Sequence, residues 1–237
     1  VVMLTYGSLG DKGFNDSCAD GINRLASEYG CETKIIEMGT DATAYETYLR
    51  DVSEGDWDLI VASTWSVLEV FQEVAKDYPD NNYLFLDGET AVDNMIGISY
   101  KSNETGFMAG CLAALQVKAG SEKIDPSKKI VGFVGSVDAA NINDFLVGYI
   151  EGVNYIDDTI KIITSYVGSY EDVATCMEMT TQLYNQGAQI VYAPCSQSML
   201  GAVTASSNSD KYFIACDTDV YAGMIDADPE IVRNILS

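Results

Sequence analysis

Strand-length apolar runs alternate with helical patterns along almost the whole chain, and that rhythm admits few folds. Residues 1–6, 33–38, 58–62, 83–86 and 95–99 read as strands in the first half. Helical spacing of apolar residues lies between them, across 16–29, 44–54 and 67–77. A further helix at 105–118 is rich in small residues (Gly106, Ala109, Gly110, Ala113, Ala114), which suits close packing. After a charged, proline-containing loop at 124–128 the rhythm restarts, with strands at 130–134, 160–167, 189–193 and 212–216 and helices at 142–155, 172–185 and 198–207. Apolar strands joined by helices predict parallel α/β sheets covered on both faces. One nine-stranded sheet satisfies the pattern. Two similar half-chains favour two doubly wound lobes, residues 1–103 plus 219–237 and residues 104–218. Ligands bind beyond the carboxyl ends of such strands. Two lobes facing each other there make a cleft that closes by hinge motion.

Polar and aromatic punctuation gathers at those expected strand ends. The first loop reads Gly7-Ser8-Leu9-Gly10-Asp11-Lys12-Gly13-Phe14-Asn15-Asp16. Its glycines let backbone approach a ligand, and an aromatic ring stands among polar groups. Its Gly-x-x-Gly-x-x-Gly spacing is not the Gly-x-Gly-x-x-Gly of dinucleotide sites, and Asp11 and Asp16 would repel a pyrophosphate. Each residue has a structural reading as well. Phe14 can be a hydrophobic staple, Asn15 or Asp16 an N-cap, and Asp87 before Gly88 the opening of a turn. Tyr170 is one of fifteen tyrosines, and Asp217 with Asp219 can be a solvated acidic loop.

Charge narrows the function. Thirteen Lys and Arg stand against thirty-six Asp and Glu, a net charge of −23, and there is no histidine. Such a surface argues against nucleic acid as a partner. The missing histidine removes Ser-His-Asp hydrolysis, Cys-His proteolysis and His-ligated zinc, so no enzyme, cofactor or metal is expected. Six cysteines form no Cys-x-x-Cys pair and are expected to be mostly free, buried thiols. No apolar run approaches the length of a membrane span. A start inside a strand and an amphipathic helical pattern over 231–237 are expected of a trimmed chain that continues further.

Taken in order, the opening motif, Leu86-Asp87-Gly88, the 106–114 helix, Gly132-Phe133-Val134-Gly135, Val167-Gly168-Ser169-Tyr170-Glu171-Asp172 and Asp217-Thr218-Asp219 resemble the basic membrane protein family of ABC-transporter substrate-binding lipoproteins. The resemblance covers essentially the whole chain. It implies a type I periplasmic-binding fold whose inter-lobe cleft holds a nucleoside, purine favoured, with the base between Phe14 and Tyr170. It further implies that Asp87 accepts from base N–H groups, Asp217 accepts from ribose hydroxyls, and Asp11 and Asn15 complete the polar floor. It places the protein outside the cytoplasm, at the cell surface or in the periplasm. There it would be lipid-anchored and monomeric, delivering its ligand to an ABC permease. The chain departs from the family at Pro194-Cys195-Ser196-Gln197-Ser198, where a Gly-rich stretch is common. It departs again at 137–141, which lacks the usual proline. The alternative is a ligand-sensing domain of a receptor or regulator that binds a sugar or another hydroxylated signal.

Overall fold

The computed structural model describes residues 1–236. The chain folds as two compact units, Val1–Gly10 with Asn15–Tyr100, and Asp11–Phe14 with the chain from Lys101 onward. The first unit contains β1 (Val2–Thr5), α1 (Phe14–Tyr29, counted from Asn15), β2 (Lys34–Glu37), α2 (Tyr45–Ser53), β3 (Ile60–Ser63), α3 (Leu68–Asp77), β4 (Tyr83–Leu86) and β5 (Met95–Ile98). The strands lie in the order β2-β1-β3-β4-β5 and every pair is parallel. Central strands are apolar runs because both of their faces are covered; all four residues of β1 are buried. On the edge strand β5, Ile96 and Ile98 are exposed.

The second unit repeats this winding. It runs through α4 (Ser102–Ala119), β6 (Ile130–Gly135), α5 (Ala140–Asp157), β7 (Lys161–Tyr166), α6 (Val173–Asn185), β8 (Ile190–Tyr192), α7 (Met199–Ser209), β9 (Tyr212–Ile214), α8 (Val220–Met224), α9 (Pro229–Val232) and β10 (Ile235–Leu236). The sheet order is β10-β9-β8-β6-β7, again parallel throughout. Each sheet therefore starts in its middle, adds its second strand on one side and the rest on the other. The order reverses between β1 and β3, and between β6 and β8, the points where doubly wound sheets take ligands.

Glycine decides how α4 meets α5. A Cβ on Gly106 would lie 2.1 Å from the Phe145 carbonyl oxygen, and one on Gly110 2.2 Å from that of Tyr149. In the other direction, Gly148 and Gly152 would meet the Asn103 and Phe107 carbonyls at 1.9 and 2.1 Å. Two backbones in direct contact leave no room for a side chain. The core of this unit is aromatic as well, with Phe133, Tyr149 and Tyr192 fully buried and their ring centroids 5.6–6.1 Å apart.

The C-terminal segment differs from its sequence pattern. Residues 231–237 read as an amphipathic helix, but the helix stops at Val232 and Ile235–Leu236 form a tenth strand beside β9. Asn234 causes the break. It is fully buried, its Nδ2 donates to the Ser206 carbonyl (2.8 Å), and its own carbonyl accepts the Phe213 N–H (3.0 Å). The units consequently divide the chain differently from the expected lobes. The segment from 219 groups with the second unit, while Ser237 lies outside the described residues.

Candidate ligand-binding site

The loop after β1 is pinned before any ligand is considered. Gly7 and Gly39 exchange backbone hydrogen bonds of 2.9 and 3.1 Å. The Leu9 N–H donates to Glu37 Oε2 (2.8 Å), and the Gly10 N–H to Asp16 Oδ1 (2.7 Å). Asn15 is buried; its Oδ1 accepts the Thr5 hydroxyl (2.8 Å), and its Nδ2 donates to the Tyr6 and Ser8 carbonyls (2.9 and 3.3 Å). These bonds make Asn15 the anchor of the loop's shape. In the same unit Asp87, half-buried, follows β4 at φ +76°, and its N–H and that of Gly88 both donate to the Ile98 carbonyl.

Four of the six expected site residues belong to the second unit: Asp11, Phe14, Tyr170 and Asp217. Asp11 is fully buried, with Oδ1 accepting the Gly13 N–H (2.9 Å) and Oδ2 the Ser196 hydroxyl (3.3 Å). Asp11 Oδ2 and Asp217 Oδ2 both stand 3.7 Å from the position a Cβ on Gly13 would take. Two carboxylates thus converge on a residue with no side chain. The Thr218 hydroxyl donates to the Lys12 carbonyl, which ties the loop after β9 to residues 11–14. Phe14 and Tyr170 are half-buried, and Tyr170 packs against the core of this unit.

The loops after β6, β7 and β8 are bound together. The Ser136 carbonyl accepts the Gly168 and Ser169 N–H groups (2.7 and 3.1 Å). Ser198 donates its N–H to the Tyr170 carbonyl (2.9 Å) and its hydroxyl to that of Ser169 (3.1 Å). Asp172 caps α6 by accepting the Thr175 N–H (2.9 Å); its hydrogen bonds from Thr175 hold the carboxyl below the usual carboxylate range. Ser196, Ser198 and Thr218 carry much of this network, and nothing in their sequence setting sets them apart from other Ser and Thr. The hydroxyls of Ser63, at the end of β3, and Ser136, just after β6, are buried with no hydrogen-bond partner among the described residues.

Cations are sparse in these loops. Of the thirteen Lys and Arg residues, only Lys12 and Lys101 stand in segments that leave a strand's carboxyl end; the others lie in helices, begin strands or lead into them. Lys101 is paired with Glu104 at 2.8 Å. Acceptors in loops with so few cations favour ligands rich in N–H and O–H donors over phosphates.

A family profile described as ABC transporter substrate-binding protein PnrA-like, the Bmp family, matches residues 1–228. The chain belongs to this family. Among curated relatives of this Bmp chain, Basic membrane protein D of Borreliella burgdorferi is 27% identical over 225 residues, 92% of this chain and 63% of that protein. Basic membrane protein A of Borreliella afzelii is 28% identical over 229 residues, again 92% of this chain and 66% of the relative. The chain thus spans about two thirds of the relatives' length. Among solved structures, an ABC transporter solute-binding protein from Aeropyrum pernix K1 superposes with a TM-score of 0.80 at 23% identity, covering 90% of this chain and 61% of that one. That likeness shows the fold, two parallel-sheet α/β lobes of the solute-binding type. The expected family and fold class both hold.

Proposed function

We propose that this Bmp-family chain captures a nucleoside, purine favoured, and hands it to an ABC permease. Membership of a substrate-binding family supports the coarse reading: an extracytoplasmic receptor that binds a small molecule. The finer reading rests on one observation, the convergence of the Asp11 and Asp217 carboxylates on Gly13 in a loop that also bears Phe14. Carboxylates accept from ribose hydroxyls and base N–H groups, and a half-buried ring offers a stacking face. In this reading Phe14 and Tyr170 hold the base, Asp87 and Asp217 read its donors, and Asp11 with Asn15 shapes the polar floor. Hinge closure completes capture; no bond is made or broken. The mature receptor is monomeric and held at the membrane by a lipid anchor.

Stacking on an aromatic contributes about 1–3 kcal/mol per base. Phe14→Ala should therefore weaken nucleoside binding by about tenfold or more in calorimetry. Unchanged affinity in that variant would remove Phe14 from the site.

A further inference from the structure

Cys176 and Cys195, 19 positions apart, meet inside the second unit with their Sγ atoms 3.7 Å apart. Both are buried, Cys176 to 0% and Cys195 to 1% exposure. Cys176 stands in the first turn of α6, just beyond the segment that carries Tyr170, and Cys195 stands in the 193–198 loop next to Ser196. The two segments already touch through Ser198 and the Ser169 and Tyr170 carbonyls. A disulfide is about 2.05 Å long, so the sulfurs need to close by roughly 1.7 Å, within reach of small side-chain rotations.

The remaining thiols are placed for other contacts. Cys216 Sγ lies 3.3 Å from the Tyr192 hydroxyl and donates to Asp217 Oδ1, also at 3.3 Å; burial first, then the Asp217 charge, hold its thiol well above its ordinary value. Cys111 donates to the Gly152 carbonyl (3.5 Å), and Cys18 and Cys31 belong to the first unit.

We propose that Cys176 and Cys195 are a dithiol that oxidises to a disulfide as the chain folds, before both are buried, leaving a covalent clasp between α6 and the loop after β8. The oxidant is a small disulfide such as oxidised glutathione. One of the two cysteine thiolates attacks one of its sulfurs, releasing one glutathione thiolate and leaving a mixed disulfide. The other cysteine loses its proton to solvent and attacks the first cysteine's sulfur, releasing the second glutathione. Two S–H bonds become one S–S bond. The two electrons and, through solvent, the two protons end on the two glutathione thiols. The hydrogen bond from Cys195 pulls the Cys176 thiol below its ordinary value, while burial pushes that of Cys195 well above. The clasp is independent of which ligand the loops bind.

The test refolds the chain in a glutathione redox buffer, so that every thiol meets oxidant before burial. It is then denatured and alkylated, and its peptides are mapped without reduction. The expected map holds a single linkage, Cys176 to Cys195, with the other four thiols alkylated. The crosslinked chain should melt roughly 5–10 °C above the reduced one, because the closed loop restrains the unfolded state. Cys176→Ala and Cys195→Ala should each abolish the linkage without creating another. Six alkylated thiols, a different pairing, or a crosslinked chain that melts below the reduced one would overturn the proposal.

Discussion

Five residues other than glycine hold positive φ where strands give way to loops or within the first loop: Lys12, Thr64, Asp87, Ser196 and Asp217. Each such position costs on the order of 1 kcal/mol or more and persists only when its surroundings enforce it. The sixth residue of this kind, Asp210, caps α7 and has an ordinary structural reason. Strain therefore gathers on the carboxyl edges of both sheets, where ligand loops are expected. The sequence hid this. Gly88 is the natural candidate for the unusual backbone after β4, yet Asp87 carries it at +76°. Asp172 shows a milder case: the sequence pattern puts it inside the helix at 172–185, and the structure makes it the residue that caps α6. Its carboxyl is held down by Thr175, so its contribution is complete above the ordinary Asp value and is lost as pH falls through the lowered folded value. Asp172→Ala should lower the urea midpoint at pH 7, and the gap to the parent should shrink as pH drops below about 4. A gap independent of pH would mean the charged form of Asp172 does not act as the cap.

Among the elements, the close packing of α4 was legible, though not its partner α5, because small residues at helical spacing have few uses other than close packing. Only the structure shows that the glycines answer each other from both helices. Gly148→Ala would drive a methyl to 1.9 Å from the Asn103 carbonyl, and the helices must separate to admit it. We expect a loss of about 3 kcal/mol, the upper end for overpacking. Gly21, on α1, has nothing within 4 Å of its Cβ position and is exposed. Gly21→Ala should instead stabilise by about 0.5–1 kcal/mol, because alanine loses less backbone freedom in a helix. Chemical denaturation of the two variants checks the pair; losses of equal size would contradict backbone contact at α4–α5. β10 was illegible for a different reason. Two apolar residues are too short for a periodic signal, and the preceding Pro229–Val232 turn continues into them as a helical pattern.

Across the whole molecule, the repeated α/β winding followed from composition and rhythm, since buried parallel strands must be apolar and their crossovers amphipathic; the strand order within each sheet came from the structure. The site was only partly legible. The family resemblance singled out Asp11, Phe14, Asn15, Asp87, Tyr170 and Asp217 as candidates, whereas Ser196, Ser198 and Thr218 act through tertiary contacts that leave no local pattern. The net charge of −23 belongs to this scale too. The ion pairs are mostly surface contacts, each contributing about 0–1 kcal/mol, so screening them costs less than screening the excess of negative charge gains. Raising salt from about 10 to 150 mM shortens the Debye length from about 30 to 8 Å. The melting temperature should rise over that range, and a fall would show the attractive pairs to dominate.

The most direct measurement titrates the folded chain with nucleosides, their 5′-phosphates, free bases and sugars, reading the melting temperature first and calorimetry second. A ligand that binds only the folded state raises the melting temperature by mass action. The account predicts stabilisation by inosine, guanosine or adenosine and none by their phosphates. Stabilisation by sugars alone, by the phosphates as strongly as the nucleosides, or by no member of the panel would contradict it.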